Sequence, residues 1–415
     1  MSENLVAQKT FRAYQESLKI SNTQQKNDFL KYLASFIDAN RQFILDQNSI
    51  DIKNAEKNNI SKSVIDRILL NDSRIDNIIS SIDTIINLPD PIGNIENLST
   101  RPQGFKVGKM RTPIGVIFMI YEARPNVTID ATTLIVKSGN AAILRGGSDA
   151  YYSNLSFMQQ IRMALLKSKL PENLITYLEA TDYTVVDELL KDDKNIQLVI
   201  PRGGESLIRS VVEKSRIPVL KHYKGVCHIY VSKYADFNKA TKIIINSKVQ
   251  RPSVCNALET LLIDQTIAKD FLPHIVKELK KYNVDIKGCQ KSKKIVSDLK
   301  LASEDDWYTE YLSLTLSIKI VKDFDDAVNH INKYSSGHTE SIITENYYEG
   351  EQFLKVIDSS SVMVNASTRL ADGGVYGLGA EIGIATDKLH ARGPMGLEEL
   401  TTYKWIVIGN GHIRE

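Results

Sequence analysis

GVIFMIYEARPNVTID, residues 115–130, is the stretch on which the reading of the fold turns. Its first six residues are an unbroken apolar run of strand length. From Asn126 the spacing becomes that of a helix, so a strand passes into a helix across Tyr121–Pro125. The same switch recurs downstream, where AAIL (141–144), LITYL (174–178) and QLVI (197–200) alternate with amphipathic stretches. Such alternation predicts a parallel sheet with helices on both faces.

A second series starts near Gly225. CHIYV (227–231) is followed by a helix over 236–247, TLLI (260–263), a helix over 267–281, then SIKIV (317–321), SIIT (341–344) and SVMV (361–364). Two α/β units therefore stand in tandem: residues 1–223, with a return of about 365–390, and residues 224–364. Residues 5–95 read as an all-helical opening, with Phe29, Leu30, Leu33, Phe36, Ile37, Phe43 and Ile44 recurring on one face. The tail 391–415 ends in TTYKWIVIG, a β segment too short to build its own core. Strands of this kind are often completed by a neighbouring subunit, so a homo-oligomer, dimer or tetramer, is expected.

The chain's 415 residues exceed one ordinary core, in keeping with two domains. Its 52 Lys plus Arg against 50 Asp plus Glu give a net charge of +2, which leaves no electrostatic footprint for nucleic acid or an acidic membrane. Three cysteines without a CxxC pair argue for a reducing compartment and against a disulfide framework or a structural zinc site. The N-terminus lacks a signal-peptide pattern, and no run approaches ~18 apolar residues. A cytoplasmic protein is expected.

GxGxxG after a strand, GxxxxGK[ST] and HExxH are all absent, so a nucleotide must be held some other way. Two strand-to-helix junctions are glycine-rich: LRGGSD (144–149), with Arg145, Gly146, Gly147 and Ser148, and PRGGES (201–206), with Gly203 and Gly204. Each is either an ordinary turn or a place where a phosphate approaches backbone N–H groups. The carboxyl edge of a parallel sheet favours the second. Asn126 is either a helix cap or an amide that steadies an oxyanion.

In AVNHINKYSSGHTESI (327–342), His330 reads as a packed or surface residue. His338 and Thr339 are placed to meet an anion, and a metal there would need a third ligand that the sequence does not supply, so no metal is expected. VNASTRLADGGVYGLGAE (364–381) carries Arg369 into a glycine-dense loop that reads as flexible surface or as part of a polar site. VQRPSVCNALETLL (249–262) puts Cys255 beside Arg251 and Ser253. That thiol is either a small buried hydrophobe or a nucleophile, and the difference lies in its setting.

The ordered set YEARPNVT, LRGG, PRGGESL, HYKGVCHIYV, QRPSVCNALETLL, AVNHINKYSSGHTESI, VNASTR and LHARGPMGLEELTTYKW covers nearly the whole chain. It resembles the gamma-glutamyl phosphate reductases, also called glutamate-5-semialdehyde dehydrogenases, of the aldehyde dehydrogenase superfamily. Between Val321 and Ile342, residues Ala327, His330, Ile331, Tyr334, Ser335, Ser336, His338, Thr339 and Glu340 fall at the places of that family's pattern.

The resemblance implies an aldehyde dehydrogenase-like α/β fold with a cofactor domain (1–223), a catalytic domain (224–364) and a small β oligomerisation element (391–415). It implies NADPH-dependent reduction of L-glutamyl 5-phosphate to glutamate 5-semialdehyde with release of phosphate, and an association with glutamate 5-kinase. Cys255 corresponds to the nucleophile and Asn126 to the oxyanion amide. Arg145, Gly146, Gly147, Ser148, Gly203, Gly204 and Glu310 fall to the dinucleotide. Arg251, Ser253, His338, Thr339 and Arg369 fall to the substrate, and a helix starting after Pro252 is expected to lower the thiol pKa.

Hydrolytic members carry a Glu general base in the stretch that here reads KHYKGVCH (221–228), which has no carboxylate. Without it, an acyl-thioester persists until phosphate attacks. Two alternatives stay open: a coenzyme A-acylating aldehyde dehydrogenase, and a catalytically silent dinucleotide-binding protein.

Overall fold

The computed structural model describes residues 3–179 and 183–414, and the chain divides into two compact units. The first comprises Met1–Lys221, Gly377–Ile384 and Pro394–Glu415; the second comprises His222–Tyr376 and Ala385–Gly393. The expected division at 223/224 falls two residues late. The segment expected to return to the first unit from 365 instead stays with the second as far as Tyr376. Backbone bonds explain this: Asn365 N donates to Ile342 O, Ser341 Oγ donates to Ala366 O at 2.7 Å, and Thr368 N donates to Ser247 Oγ.

In the first unit, helices Glu3–Ile20, Thr23–Ala39, Arg41–Lys57, Lys62–Ile68 and Asp72–Asn87 form the opening layer. Phe29, Leu30, Leu33, Ile37 and Ile44 are buried as their spacing predicts. Phe43 is not: the helix breaks at Asn40, the phase of the apolar face restarts, and Phe43 is 38% exposed. Behind the helices lies a four-stranded parallel sheet in the order Ile175–Tyr177, Ala141–Gly146, Val116–Tyr121, Leu198–Arg202. Every residue of Val116–Tyr121 is buried, as a central strand covered on both faces requires.

The terminal strand Thr401–Ile408 is paired along one side within the chain and stands at the edge of its three-stranded sheet. It lies antiparallel to Lys106–Pro113 of the same chain, in register from Thr401↔Pro113 to Ile408↔Lys106, and Ile95–Thr100 flanks the other side. Asn140 ties it to the unit, accepting from Gly115 N and donating to Leu400 O at 2.8 Å.

The second unit is a seven-stranded parallel sheet in the order Lys300–Leu301, Asp285–Gly288, Thr315–Val321, Leu258–Asp264, Cys227–Val231, Thr339–Ile343, Ser361–Val364. Helix Ala268–Lys280 buries Phe271, Leu272, Ile275 and Leu279 in its core. The chain enters at Cys227–Val231, builds toward one edge, and then crosses back to Thr339–Ile343. The strand order therefore reverses beside Cys227.

Candidate active site

Cys255 lies between helix Phe237–Val249 and strand Leu258–Asp264, in consecutive turns. No helix starts after Pro252: the chain runs from these turns directly into the strand, so the expected helix N-terminus beside the thiol is missing. What surrounds the cysteine is a clamp. The Cys227 thiol donates to the Cys255 carbonyl at 3.2 Å, and the backbone of Gly225 presses on the same carbonyl. Next along the chain, Asn256 donates to Ala371 O at 2.8 Å and accepts from Arg369 Nη1. Arg369 Nε in turn donates to Gln250 Oε1 at 2.8 Å.

Positive charge reaches the thiol from side chains. Burial and the neighbouring Arg251 hold Arg369 below the usual guanidinium range, while Asp372 and Cys255 pull it back up. The two arginines therefore share one locale with the sulfur, Arg251 exposed and Arg369 half-buried. Ser253 is exposed beside them.

His338 and Thr339, assigned to the substrate on the resemblance, lie inside the protein rather than in an open loop. Both are fully buried, and Thr339 Oγ1 lies 2.8 Å from His338 Nδ1. Burial, reinforced by His222, pushes the His338 imidazole down to about 3. It is neutral at physiological pH and brings no charge to a phosphate. His330 is a packed residue, as one of its two readings had it, 3% exposed.

Glu310 precedes strand Thr315–Val321, and its Oε1 accepts from Gly225 N at 2.8 Å. Gly225, Cys255, Glu310 and His338 thus all precede strands of one parallel sheet. This cluster occupies the amino edge of its sheet.

In that first unit, Asn126 opens helix Asn126–Lys137, with Pro125 in the cap position. Asn126 is therefore not the cap, and its Nδ2 donates to Asp130 Oδ2 at 2.8 Å. Burial pushes Asp130 up to about 6, against the hydrogen bond from Asn126 and the charge of Arg202. Arg145 lies near the end of a buried strand with its guanidinium 4.8 Å over the Tyr183 ring, and its Nε is buried without a hydrogen-bond partner among the described residues.

The glycines divide by what they touch. A β-carbon on Gly146 would stand 2.2 Å from Asn154 Nδ2, so this residue is small to let Asn154 and Tyr177 pack. Gly147 passes close to the Ala123 backbone, and Ser148, exposed, opens the short turn Ser148–Ala150. Gly203 and Gly204 are held by a group that the sequence reading did not single out: Glu122 Oε2 accepts from Gly204 N at 2.8 Å, where a β-carbon on Gly203 would collide with it. The protein's own carboxylate occupies the backbone donor at this helix start, Glu205–Lys214, which disfavours a phosphate on that N–H.

Asp130, Glu122, Gly225 and His222 went unremarked in sequence. Asp130 lies one helical turn after Asn126, which is a legible signal. The others act over long separations and leave no local pattern.

With parallel sheets, a clamped thiol and a candidate amide in place, the chain has the makings of an aldehyde dehydrogenase-type oxidoreductase. The family model described as "Aldehyde dehydrogenase family" matches residues 12–295, well over half of the chain. An acetylating aldehyde dehydrogenase from Geobacillus thermoglucosidasius, 16% identical, superposes with a TM-score of 0.69 over 100% of this chain and 97% of its own, a likeness of fold alone.

Much nearer relatives refine this. A gamma-glutamyl phosphate reductase of Dictyoglomus turgidum is 51% identical with 100% of each chain covered. The crystal structure of the Thermotoga maritima protein of the same name is 47% identical, with a TM-score of 0.98 and 100% of each chain covered. The chain belongs to the gamma-glutamyl phosphate reductase family, within the aldehyde dehydrogenase superfamily. Membership implies a nicotinamide dinucleotide as cofactor. The buried, unsatisfied Nε of Arg145 beside the Gly147–Ser148 turn fits an anionic group of such a molecule.

Proposed function

We propose that the chain reduces L-glutamyl 5-phosphate to L-glutamate 5-semialdehyde and releases phosphate, the second step of proline synthesis from glutamate. Full-length identity near one half to reductases of that name carries this reading. The clamped Cys255 supports it chemically.

In this reading the Cys255 thiolate attacks the acyl-phosphate carbonyl, the C–O bond to phosphate breaks, and a thioester forms on sulfur. Arg251 and Arg369 favour the thiolate and receive the leaving phosphate, a role for which a guanidinium fork is suited. Asn126 Nδ2 carries two hydrogens. One goes to Asp130, and the second serves the developing oxyanion together with the Cys255 N–H. NADPH, when bound, supplies the hydride that reduces the thioester. Arg145 and Ser148 are the residues we assign to its 2′-phosphate, with Gly147 giving backbone access. Glu310 is assigned to the nicotinamide ribose, while Gly146, Gly203 and Gly204 shape the same loops.

Ser253 is the remaining substrate contact in this reading, with His338 and Thr339 supporting the pocket from behind. The missing carboxylate in KHYKGVCH leaves water poorly activated, so phosphate is the acyl acceptor. We place the enzyme in the cytoplasm as a homo-oligomer, dimer or tetramer, associated with glutamate 5-kinase. Among the described residues no helix is long and apolar enough to cross a membrane.

The test is reduction of NADP by glutamate semialdehyde with and without phosphate. Strict dependence on phosphate is expected. Equal rates with coenzyme A replacing phosphate would favour a coenzyme A-acylating enzyme, and intact dinucleotide binding without turnover would favour a silent one.

A further inference from the structure

Beside the proposed nucleophile, at the amino edge of the second sheet, stand two imidazoles to which that reaction gives no chemical step. His222, Cys255 and His338 each place one ligand atom within 4.8 Å of the other two. One thiol and two imidazoles are the donors that a borderline-soft divalent cation selects.

Two further features belong to the same cluster. Nε2 of His338 is fully buried and has no hydrogen-bond partner among the described residues, in a residue only 1% exposed. Such a nitrogen is costly to leave unsatisfied, and a bound cation would satisfy it. The ring is also pre-oriented, because Nδ1 lies 2.8 Å from Thr339 Oγ1. An outer contact of this kind fixes the ring of a metal-bound histidine. The His222 ring stands edge-on to it, with centroids 5.0 Å apart.

We propose that His222, Cys255 and His338 form an inhibitory site for a thiophilic divalent cation, zinc, with a water at the fourth position. Ligand atoms around one tetrahedral zinc stand roughly 3.3–3.6 Å apart, given bonds of about 2.0 Å to nitrogen and 2.3 Å to sulfur. The cluster closes by about an ångström, chiefly through His222, the less buried of the two imidazoles. On binding, the cation exchanges three of its waters for two imidazole nitrogens and the sulfur. Cys255 loses its proton to solvent, and no electron changes hands. A sulfur held by zinc cannot attack a carbonyl, so zinc and acyl phosphate exclude one another. That consequence rests on the nucleophile reading above, whereas binding itself does not.

The test uses cobalt(II) as a spectroscopic probe on the resting, full-length protein. One cobalt per chain is expected, displaced by zinc, with tetrahedral visible bands and a thiolate-to-cobalt charge-transfer band. Cys255→Ser should remove the charge-transfer band. His222→Ala and His338→Gln should each weaken cobalt binding by about tenfold or more. Should the buried His338→Gln fail to fold, the half-buried His222→Ala decides.

Three results would overturn the site: no charge-transfer band in the wild type, a band that survives Cys255→Ser or is lost in folded Cys227→Ser, or unchanged affinity in His222→Ala. An intact cobalt spectrum in a protein that reduces no acyl phosphate would remove the reaction scheme and leave the metal site standing.

Discussion

Gly225 lies against Cys255 so closely that a β-carbon on Gly225 would stand 1.8 Å from the Cys255 carbonyl oxygen and 2.7 Å from its Cα. Those neighbours are backbone atoms, so no side-chain rotation relieves the clash. Gly225→Ala must move the turn that carries the thiol. A displacement near 1 Å at a reacting atom costs on the order of 100-fold in rate. We expect kcat to fall by about that factor. An active Gly225→Ala enzyme would show that the contact is incidental.

The three thiols differ in setting, and alkylation should rank them. Cys227 is fully buried, and burial, aided by Glu340, pushes its thiol well up, so it stays protonated and unreactive. Cys289 is half-buried, its sulfur receiving N–H groups from Ser292 and Ile320. Cys255 alone has two arginines nearby. Peptide mapping after brief iodoacetamide treatment should find Cys255 labelled first and Cys227 only after unfolding. Cys255→Ala should lower phosphate-dependent semialdehyde oxidation by a factor on the order of 10⁴ or more, with dinucleotide binding intact.

The strands that could be read from the chain were those where apolar residues run together. CHIYV and SVMV appear at the expected bounds, and TLLI only lengthens to Leu258–Asp264. Asp285–Gly288 and Lys300–Leu301 could not be read, because these short, polar segments become strands by pairing at the edge of an existing sheet. Ile95–Thr100 is exposed along its whole length and has no alternation to detect. Of the proposed site, Cys255 and Asn126 could be put forward from residue type and place. Glu122 was not, since its acceptor role reaches a backbone N–H 82 positions away. Gly225 likewise matters only once the fold brings two distant backbones together. The intrachain partner of TTYKWIVI was hidden for the same reason: it is Lys106–Pro113, nearly 300 residues earlier.

Lys248 and Glu259 form a fully buried pair, Nζ to Oε2 at 2.7 Å, with Nζ also donating to Leu258 O. Burial pushes Glu259 up to about 7 and pulls Lys248 down, so each leans on the other for its charge. The free oxygen of Glu259 accepts from Leu312 N at 3.2 Å, two residues past Glu310. Lys248→Met leaves that carboxylate unpaired, at a cost of about 3–5 kcal/mol. Chemical denaturation should register the loss, and the loop holding Glu310 should loosen, raising the KM for the dinucleotide. Lys248→Met paired with Glu259→Leu should recover much of the stability and leave the raised KM, which separates the two effects.

The last prediction concerns Asp130, whose carboxyl is pushed up to about 6 from an ordinary value of 3.8. Because the folded protein holds this proton more tightly than the unfolded chain does, the favourable contribution belongs to the acid side. It is complete below about pH 4 and is lost as pH rises through about 6. Asp130→Asn removes the penalty of ionising a buried carboxyl and should stabilise the protein at pH 7 by on the order of 2 kcal/mol, with little change at pH 4. The activity effect has the opposite sign. If Asn126 serves the oxyanion as proposed, ionised Asp130, which accepts from Asn126 Nδ2, holds that amide in place, so turnover should fall as pH drops through about 6. In Asp130→Asn that acidic limb should disappear and kcat should fall by about 10- to 100-fold, within the range known for a weakened oxyanion donor. A variant that gains stability at pH 7 yet keeps the wild-type pH profile would confine Asp130 to folding and release Asn126 from its dependence on it.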